Sequence, residues 1–170
     1  MKRKNKIKTL AQKYGKTGKK GRSGENWLKA RLESKGLKVI DNESNMSYQI
    51  TGKDLVVIDE KTNKTYSIDV KNNYRDDGCF YIEIEKRNFK GDLVIGWALN
   101  KNKTTDYIFH TRPSTGDVIF YKTKQLHEYL EQKGVKNKDH PDVICVGGDF
   151  LIKIQPQNYP DFLQFRTYNI

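Results

Sequence analysis

A mixed α/β domain, with a central sheet and helices packed on it, is predicted by three features of the 170-residue sequence. Short alternating or wholly apolar runs recur between turn signals, two segments carry helical spacing that ends in a glycine, and aromatic residues are plentiful. Charged residues (31%) nearly match hydrophobic ones (35%), which is polar for a globular chain; 10 Tyr, 7 Phe and 2 Trp are nevertheless too many for a wholly disordered one. A chain of this length is one domain that can bury a core.

The strongest helix signal covers 24–35. Ser23 is a candidate N-cap, Glu25 lies in the first turn where negative charge suits the helix dipole, Leu28 and Leu32 stack at i,i+4, and Gly36 supplies the stop. Strands are expected at 37–40, 54–58 and 65–71; the last alternates Tyr66, Ile68 and Val70 against Ser67, Asp69 and Lys71. Residues 61–64 between the latter two are turn chemistry. Further strands are expected at 80–85, 93–99, 105–110 and 117–121, a second helix at 123–133 ended by Gly134, and a hairpin over 143–154 turning at Gly147, Gly148 and Asp149. Residues 155–170, with Pro156, Pro160 and several aromatics, form a C-terminal tail that could pack on the body, order a dimer interface or stack on bases.

Charge divides the chain unevenly. The net charge is +11, yet residues 1–22 hold ten Lys and Arg with no acid, while the remainder balances 22 bases against 21 acids. The expected organisation is a basic flexible arm (1–22), a body (23–154) and the tail (155–170). An arm so charged, punctuated by Gly15, Gly18 and Gly21, is the electrostatic signature of a nucleic-acid partner; a solubilising tail is the alternative. Lys16, Lys19, Lys20 and Arg22 of the arm, with Lys53, are the candidate backbone contacts. No apolar run approaches the roughly 20 residues of a membrane span, and no secretion signal is expected behind the basic start. Cys79 and Cys145 lack metal-ligand spacing, which fits a reducing compartment. The cytoplasm is therefore expected, that of a host cell if the chain is phage-encoded; richness in Lys, Asn, Tyr and Ile is compatible with an AT-rich genome.

The chemistry concentrates in the hairpin of the second and third strands. With its turn centred between Lys61 and Thr62, paired residues sum to 123, so Asp54 faces Asp69 with Cβ atoms about 4.5–5.5 Å apart. Lys71 shares their face. Two like charges about 5 Å apart repel by roughly 3 kcal/mol at an effective dielectric near 20. A divalent cation between the carboxylates would offset that, and oxygen-only ligands suit Mg²⁺ or Mn²⁺. Acid-x-Lys recurs at Glu33/Lys35, Asp59/Lys61 and Glu131/Lys133, but only the Asp69/Lys71 case lies in an alternating strand with an acid opposite.

The residues Lys20, Gly21, Arg22, Ser23, Gly24 and Glu25, then Leu28, Leu32, Gly36 and Val39, then Gly52, Lys53 and Asp54, and finally Ile68, Asp69, Val70 and Lys71 resemble the PD-(D/E)xK nuclease superfamily over about residues 19–72. The pattern is most similar to the archaeal Holliday-junction resolvases and small phage endonucleases of that superfamily. It departs at Lys53, where Pro is usual, and has Asp69 where Glu is more frequent. The resemblance implies a restriction-endonuclease-like fold, a mixed central sheet flanked by helices. It also implies a Mg²⁺ ion, replaceable by Mn²⁺, held by Asp54, Asp69 and the Val70 carbonyl, with Glu25 completing the site directly or through water. Lys71 would orient the attacking water and stabilise charge developing on the phosphorane. For Glu25 a role as helix-dipole partner remains equally open.

Other features carry less. Glu83 and Glu85 share a strand face with Tyr81, where solvation is the default reading and extension of the acidic site the alternative. His110, His127 and His140 show no ligand spacing, so surface or cap roles are expected. Trp27 and Trp97 read as core, and Arg112, Lys122 and Lys124 as possible phosphate contacts. The expected function is a Mg²⁺-dependent endodeoxyribonuclease selective for branched DNA, acting as a homodimer because a symmetric junction needs two sites. A sequence-specific duplex endonuclease and a non-catalytic nucleic-acid-binding protein on the same scaffold are the rivals.

Overall fold

The computed structural model describes residues 10–42, 47, 51–72, 77, 79–88, 90–155 and 160–167, with side chains from Arg22 onward except that of Phe165. Among these residues the architecture is mixed α/β and mostly strands. The chain runs α1 (Leu10–Glu33), β1 (Lys38–Asp41), β2 (Leu55–Asp59), β3 (Lys64–Asn72), β4 (Phe80–Arg87), β5 (Leu93–Ile95), β6 (Tyr107–Arg112) and β7 (Asp117–Lys122). It continues through α2 (Thr123–Gln132), β8 (Val143–Val146), β9 (Asp149–Ile154) and β10 (Gln164–Thr167). No helix among the described residues is long and apolar enough to cross a membrane.

The expected single central sheet is two sheets. One has six strands in the order β1-β2-β3-β6-β7-β10, the other four in the order β5-β4-β9-β8. In the larger sheet β3 and β6 pair in parallel and every other pair is antiparallel. A parallel pair needs a crossover between its strands. Here the crossover carries β4 and β5, which cannot lie in the same layer and so begin the second sheet. The strand expected at 93–99 stops at Ile95, since residues 97–99 turn. The supposed tail supplies β10, which closes the edge of the larger sheet against β7.

Helix α1 starts well before the expected 24. Leu10, Ala11, Gln12 and the lysines of the basic stretch are good helix formers and run on from the packed part, so Ser23 lies inside the helix and does not cap it. Residues 10–22 are thus a helical extension of the segment that packs on the sheet, and residues 1–9 of the expected arm lie outside the described residues. Leu28 and Leu32 bury against Val39, Leu55, Val57, Ile68, Val70, Phe109 and Val118. Gly24 permits the closest approach, because a Cβ there would lie 2.8 Å from side-chain atoms of Asn72 and Thr111.

A second core fills the other side of the six-stranded sheet. It joins Ile108, Ile119 and Tyr121 to Phe80, Ile82 and Ile84 of β4, Ile152 and Ile154 of β9, and Leu126 and Leu130 of α2. The layers are therefore α1, the six-stranded sheet, then the smaller sheet with α2.

Candidate active site

The β2–β3 hairpin has the expected register: Leu55 pairs with Ile68 and Asp59 with Lys64, each pair summing to 123. Asp59 shapes the turn, its carboxylate accepting the N–H of Lys61 (3.0 Å) and Thr62 (3.3 Å) and the Thr62 hydroxyl (2.8 Å). One residue beyond the ladder, the Asp54 N–H donates to the Ile68 carbonyl (2.9 Å), and the Asp54 Oδ2 accepts the Val70 N–H (2.8 Å). Asp54 and Asp69 accordingly stand together. Burial, reinforced by the Asp69 charge, pushes the Asp54 carboxyl up to about 8.

Alternation along β3 separates two kinds of side chain. Ile68 and Val70 face α1, whereas Asp69 and Lys71 point to the opposite face. Asp69 is 1% exposed and holds two ammonium groups: Lys71 Nζ lies 2.5 Å from Oδ1 and Lys103 Nζ 3.3 Å from Oδ2. Burial alone would raise the Asp69 carboxyl, but Lys71 and then Lys103 outweigh it and hold it below the usual range. For Lys71 burial pulls the ammonium down, yet Asp69 and Asp54 more than compensate and keep it protonated.

Lys103 escaped the sequence reading, since the loop that carries it has no periodicity to mark it. The structure shows how it is delivered. The Asp106 Oδ2 accepts both the N–H and the hydroxyl of Ser67 at 2.7 Å, clamping the start of β6 to β3 and fixing their parallel register. The Thr104 N–H then donates to the Thr51 carbonyl (3.2 Å), bringing the 100–104 loop against Gly52. Gly52 has a φ of 77°. A Cβ there would sit 2.6 Å from Lys103 Nζ, so glycine leaves the space that the lysine occupies on its way to Asp69.

Trp97 and Glu83 complete the surroundings of Lys71. The Lys71 ammonium lies 5.3 Å from the centre of the Trp97 ring. The Trp97 N–H donates to Glu83 Oε1 (3.2 Å), which also receives Lys86 Nζ at 3.2 Å, and the Glu83 charge adds to the field on Lys71. Glu83 is thus not on a freely solvated face: its side chain is 17% exposed, next to a β-bulge between Glu83 and Glu85. Glu85 lies elsewhere, accepting the Lys138 N–H (3.1 Å).

His110 corrects the expectation of a surface or cap role. It is 3% exposed, with Nε2 2.7 Å from the Tyr121 hydroxyl and its ring against Phe80 and Trp97. Burial first, then the Lys71 charge, drives the imidazole down to about 3, so it is neutral. Arg112 is likewise inside, donating to the Cys79 carbonyl (2.7 Å) and stacked on Phe80, so it is not a surface phosphate contact. Lys122 and Lys124 are exposed at the start of α2.

The remaining expected residues are placed less directly. Glu25 accepts Arg22 Nη1 at 2.8 Å, and the same guanidinium grips Asp41, which pairs with Leu55 beside Asp54. Glu25 therefore belongs to an Arg22–Asp41 network at the neighbouring strand. Arg22 is engaged inside that network. Lys53 sits next to Asp54, its carbonyl accepting Asn42 Nδ2 (3.3 Å). The side chains of Lys16, Lys19 and Lys20 lie outside the described residues.

Asp54 and Asp69 offer hard oxygen donors side by side, and burial with the Asp69 charge keeps a proton on Asp54 near neutral pH; a small divalent cation bound there would take the place of that proton. Among the described residues no group of three or more His, Cys, Asp and Glu is arranged to hold a metal ion; Asp54 and Asp69 are the pair that would hold one. Mg²⁺ commonly takes only one or two protein carboxylates, the rest of its shell being water and substrate phosphate. No family model matches the chain, nor does any curated protein or solved structure.

Proposed function

We propose that the protein is a metal-dependent endodeoxyribonuclease of the PD-(D/E)xK kind that hydrolyses phosphodiester bonds. The observation that carries the reading is the β2–β3 hairpin: Asp54 and Asp69 face each other at its open end, with Lys71 on the same face. The order of elements is compatible with it, since a helix precedes an antiparallel three-strand meander whose last strand pairs in parallel with a later one.

In this reading Asp54 and Asp69 hold Mg²⁺, or Mn²⁺ in its place, with the Val70 carbonyl as a further oxygen. The ion supplies Lewis-acid polarisation of the phosphodiester when bound. Lys71 stays cationic through Asp69 and Asp54, so it acts as a fixed positive charge and not as a base. It stabilises the extra negative charge on the phosphoryl oxygens as water attacks phosphorus and the P–O bond to the leaving strand breaks. Lys103 adds a second cation on the same carboxylate. Glu25 acts at one remove, its partner Arg22 fixing Asp41 beside Asp54. The basic stretch, with Lys16, Lys19, Lys20 and Lys53, grips the DNA backbone. Branched DNA is the proposed substrate, a homodimer the proposed assembly and the cytoplasm the proposed compartment.

One observation favours a rival. Both oxygens of Asp69 already have ammonium partners, as a purely structural charge cluster in a non-catalytic DNA-binding protein would. Cleavage separates the two. Wild type and Asp69→Asn are offered end-labelled four-way junction, linear duplex and single strand with Mg²⁺. Paired nicks near the branch by wild type, reduced at least about 10³-fold in Asp69→Asn while binding persists, are expected. Binding without cutting in either Mg²⁺ or Mn²⁺ makes the protein a binder.

A further inference from the structure

A cavity of about 410 Å³ opens between α2 and the loop that delivers Lys103, a volume within the roughly 300–1,000 Å³ of small-ligand sites. Its floor is apolar: Ala98, Leu130 and Val135 are buried, with Leu99 beside them. Its rim carries Lys101 and Lys136, with His127, against the single acid Glu131, while the Lys103 ammonium is turned to Asp69. Apolar floor and cationic rim together are the two halves of a nucleotide, a base and a phosphate. Lys103 lines the cavity and reaches Asp69 with its ammonium, which sets the cavity beside the acidic site.

We propose that this cavity is a substrate subsite that takes one unstacked nucleotide beside the scissile phosphate, its phosphate on Lys101 and Lys136 and its base on the Leu99, Leu130 and Val135 floor. The proposal rests on the nuclease reading above and deepens it. A duplex must unstack a nucleotide to fill the cavity at a cost of a few kcal/mol, whereas a nucleotide that is already unpaired pays least. A subsite of this kind makes a branch point the favoured place to cut.

The test is a neutral-phosphate scan on the full-length chain. Single methylphosphonates replace, in turn, each phosphate within a few nucleotides of the cut in a four-way junction, and kcat/KM is measured with Mg²⁺ for wild type and for Lys101→Ala/Lys136→Ala. Both lysines are exposed, so an unchanged thermal midpoint is expected. Wild type should lose about tenfold at one position flanking the cut. The double variant should start about tenfold lower on unmodified DNA and lose nothing more at that same position, all other positions costing both proteins alike. If wild type cuts but the losses multiply at every position, or the variant cuts unmodified junction as well as wild type, the subsite is overturned and the nuclease reading stands. A wild type that binds junction and cuts nothing overturns the nuclease reading, and the subsite with it.

Discussion

Toward α1, strands β2, β3, β6 and β7 present Leu55, Val57, Ile68, Val70, Phe109 and Val118; toward the smaller sheet, alternate positions of the same strands present Asp69, Lys71 and His110 among Ile108, Ile119 and Tyr121. The first face does what a sheet face normally does, removing apolar surface from water. The second buries Asp69 and the neutral imidazole of His110 in its core, with Asp54, Lys71 and Lys103 half-buried beside them. Burying charge costs free energy unless it is paired, and even a paired cluster is often less stabilising than apolar side chains of the same volume. Both faces therefore bury an apolar core, and the second carries in addition a charge cluster that costs stability.

Three substitutions sharpen or break that division. The largest effect on stability is expected from Leu28→Ala on the α1 side. Leu28 is fully buried, so the variant should lose about 2–5 kcal/mol in urea unfolding while the folded fraction keeps its kcat and KM. A loss of cleavage without loss of stability would place chemistry on the wrong face.

Next comes the pH response of His110. Its folded pKa is depressed to about 3, so the folded state stays neutral while the unfolded chain takes up a proton below about pH 6.5. Its contribution is thus fully present above that pH and is lost as pH falls toward the folded value. Wild type should lose about 2 kcal/mol more than His110→Gln between about pH 7 and about pH 5, because each pH unit is worth about 1.4 kcal/mol. Comparing the two proteins cancels the carboxylates, Asp54 among them, whose raised pKa acts in the opposite direction. Parallel stability curves would mean that His110 is not sequestered as the structure has it.

The smallest effect is the most diagnostic. Asp54→Asn leaves an oxygen to accept the Val70 N–H and spares the protonation that burial and Asp69 impose on Asp54 below about pH 8, so it should abolish cleavage and raise stability by about 1–2 kcal/mol. Calorimetry beside the cleavage assay reads both. A destabilised Asp54→Asn would show that the carboxylate holds the hairpin together and is not stored there at a cost.

The central hairpin was legible because its information is local. Alternation gave the face of Asp69 and Lys71, turn chemistry gave the register, and together they brought Asp54 opposite Asp69 before any long-range contact was known. Helix 24–35 was half legible: its apolar stripe marks the packed turns, while the start at Leu10 carries no apolar signal. Lys103, Trp97 and His110 were not legible as neighbours of the site, and Glu83 was so only as the alternative to a solvated face. Each comes from a separate strand or loop, and only the Ser67–Asp106 clamp, the β4 bulge and the β3–β6 pairing bring them within reach.

By itself the sequence determined the class of fold, the apolar side of the third strand, the facing of Asp54 and Asp69 and the concentration of positive charge in the first 22 residues. These depend on residues near one another along the chain, where spacing alone sets which face a side chain takes. Tertiary structure alone decided that there are two sheets, that the C-terminal segment closes the larger one as β10, and that a second lysine shares Asp69. Those outcomes depend on pairing across tens of residues, where many partners offer similar hydrogen bonds and only the packing of the whole selects among them.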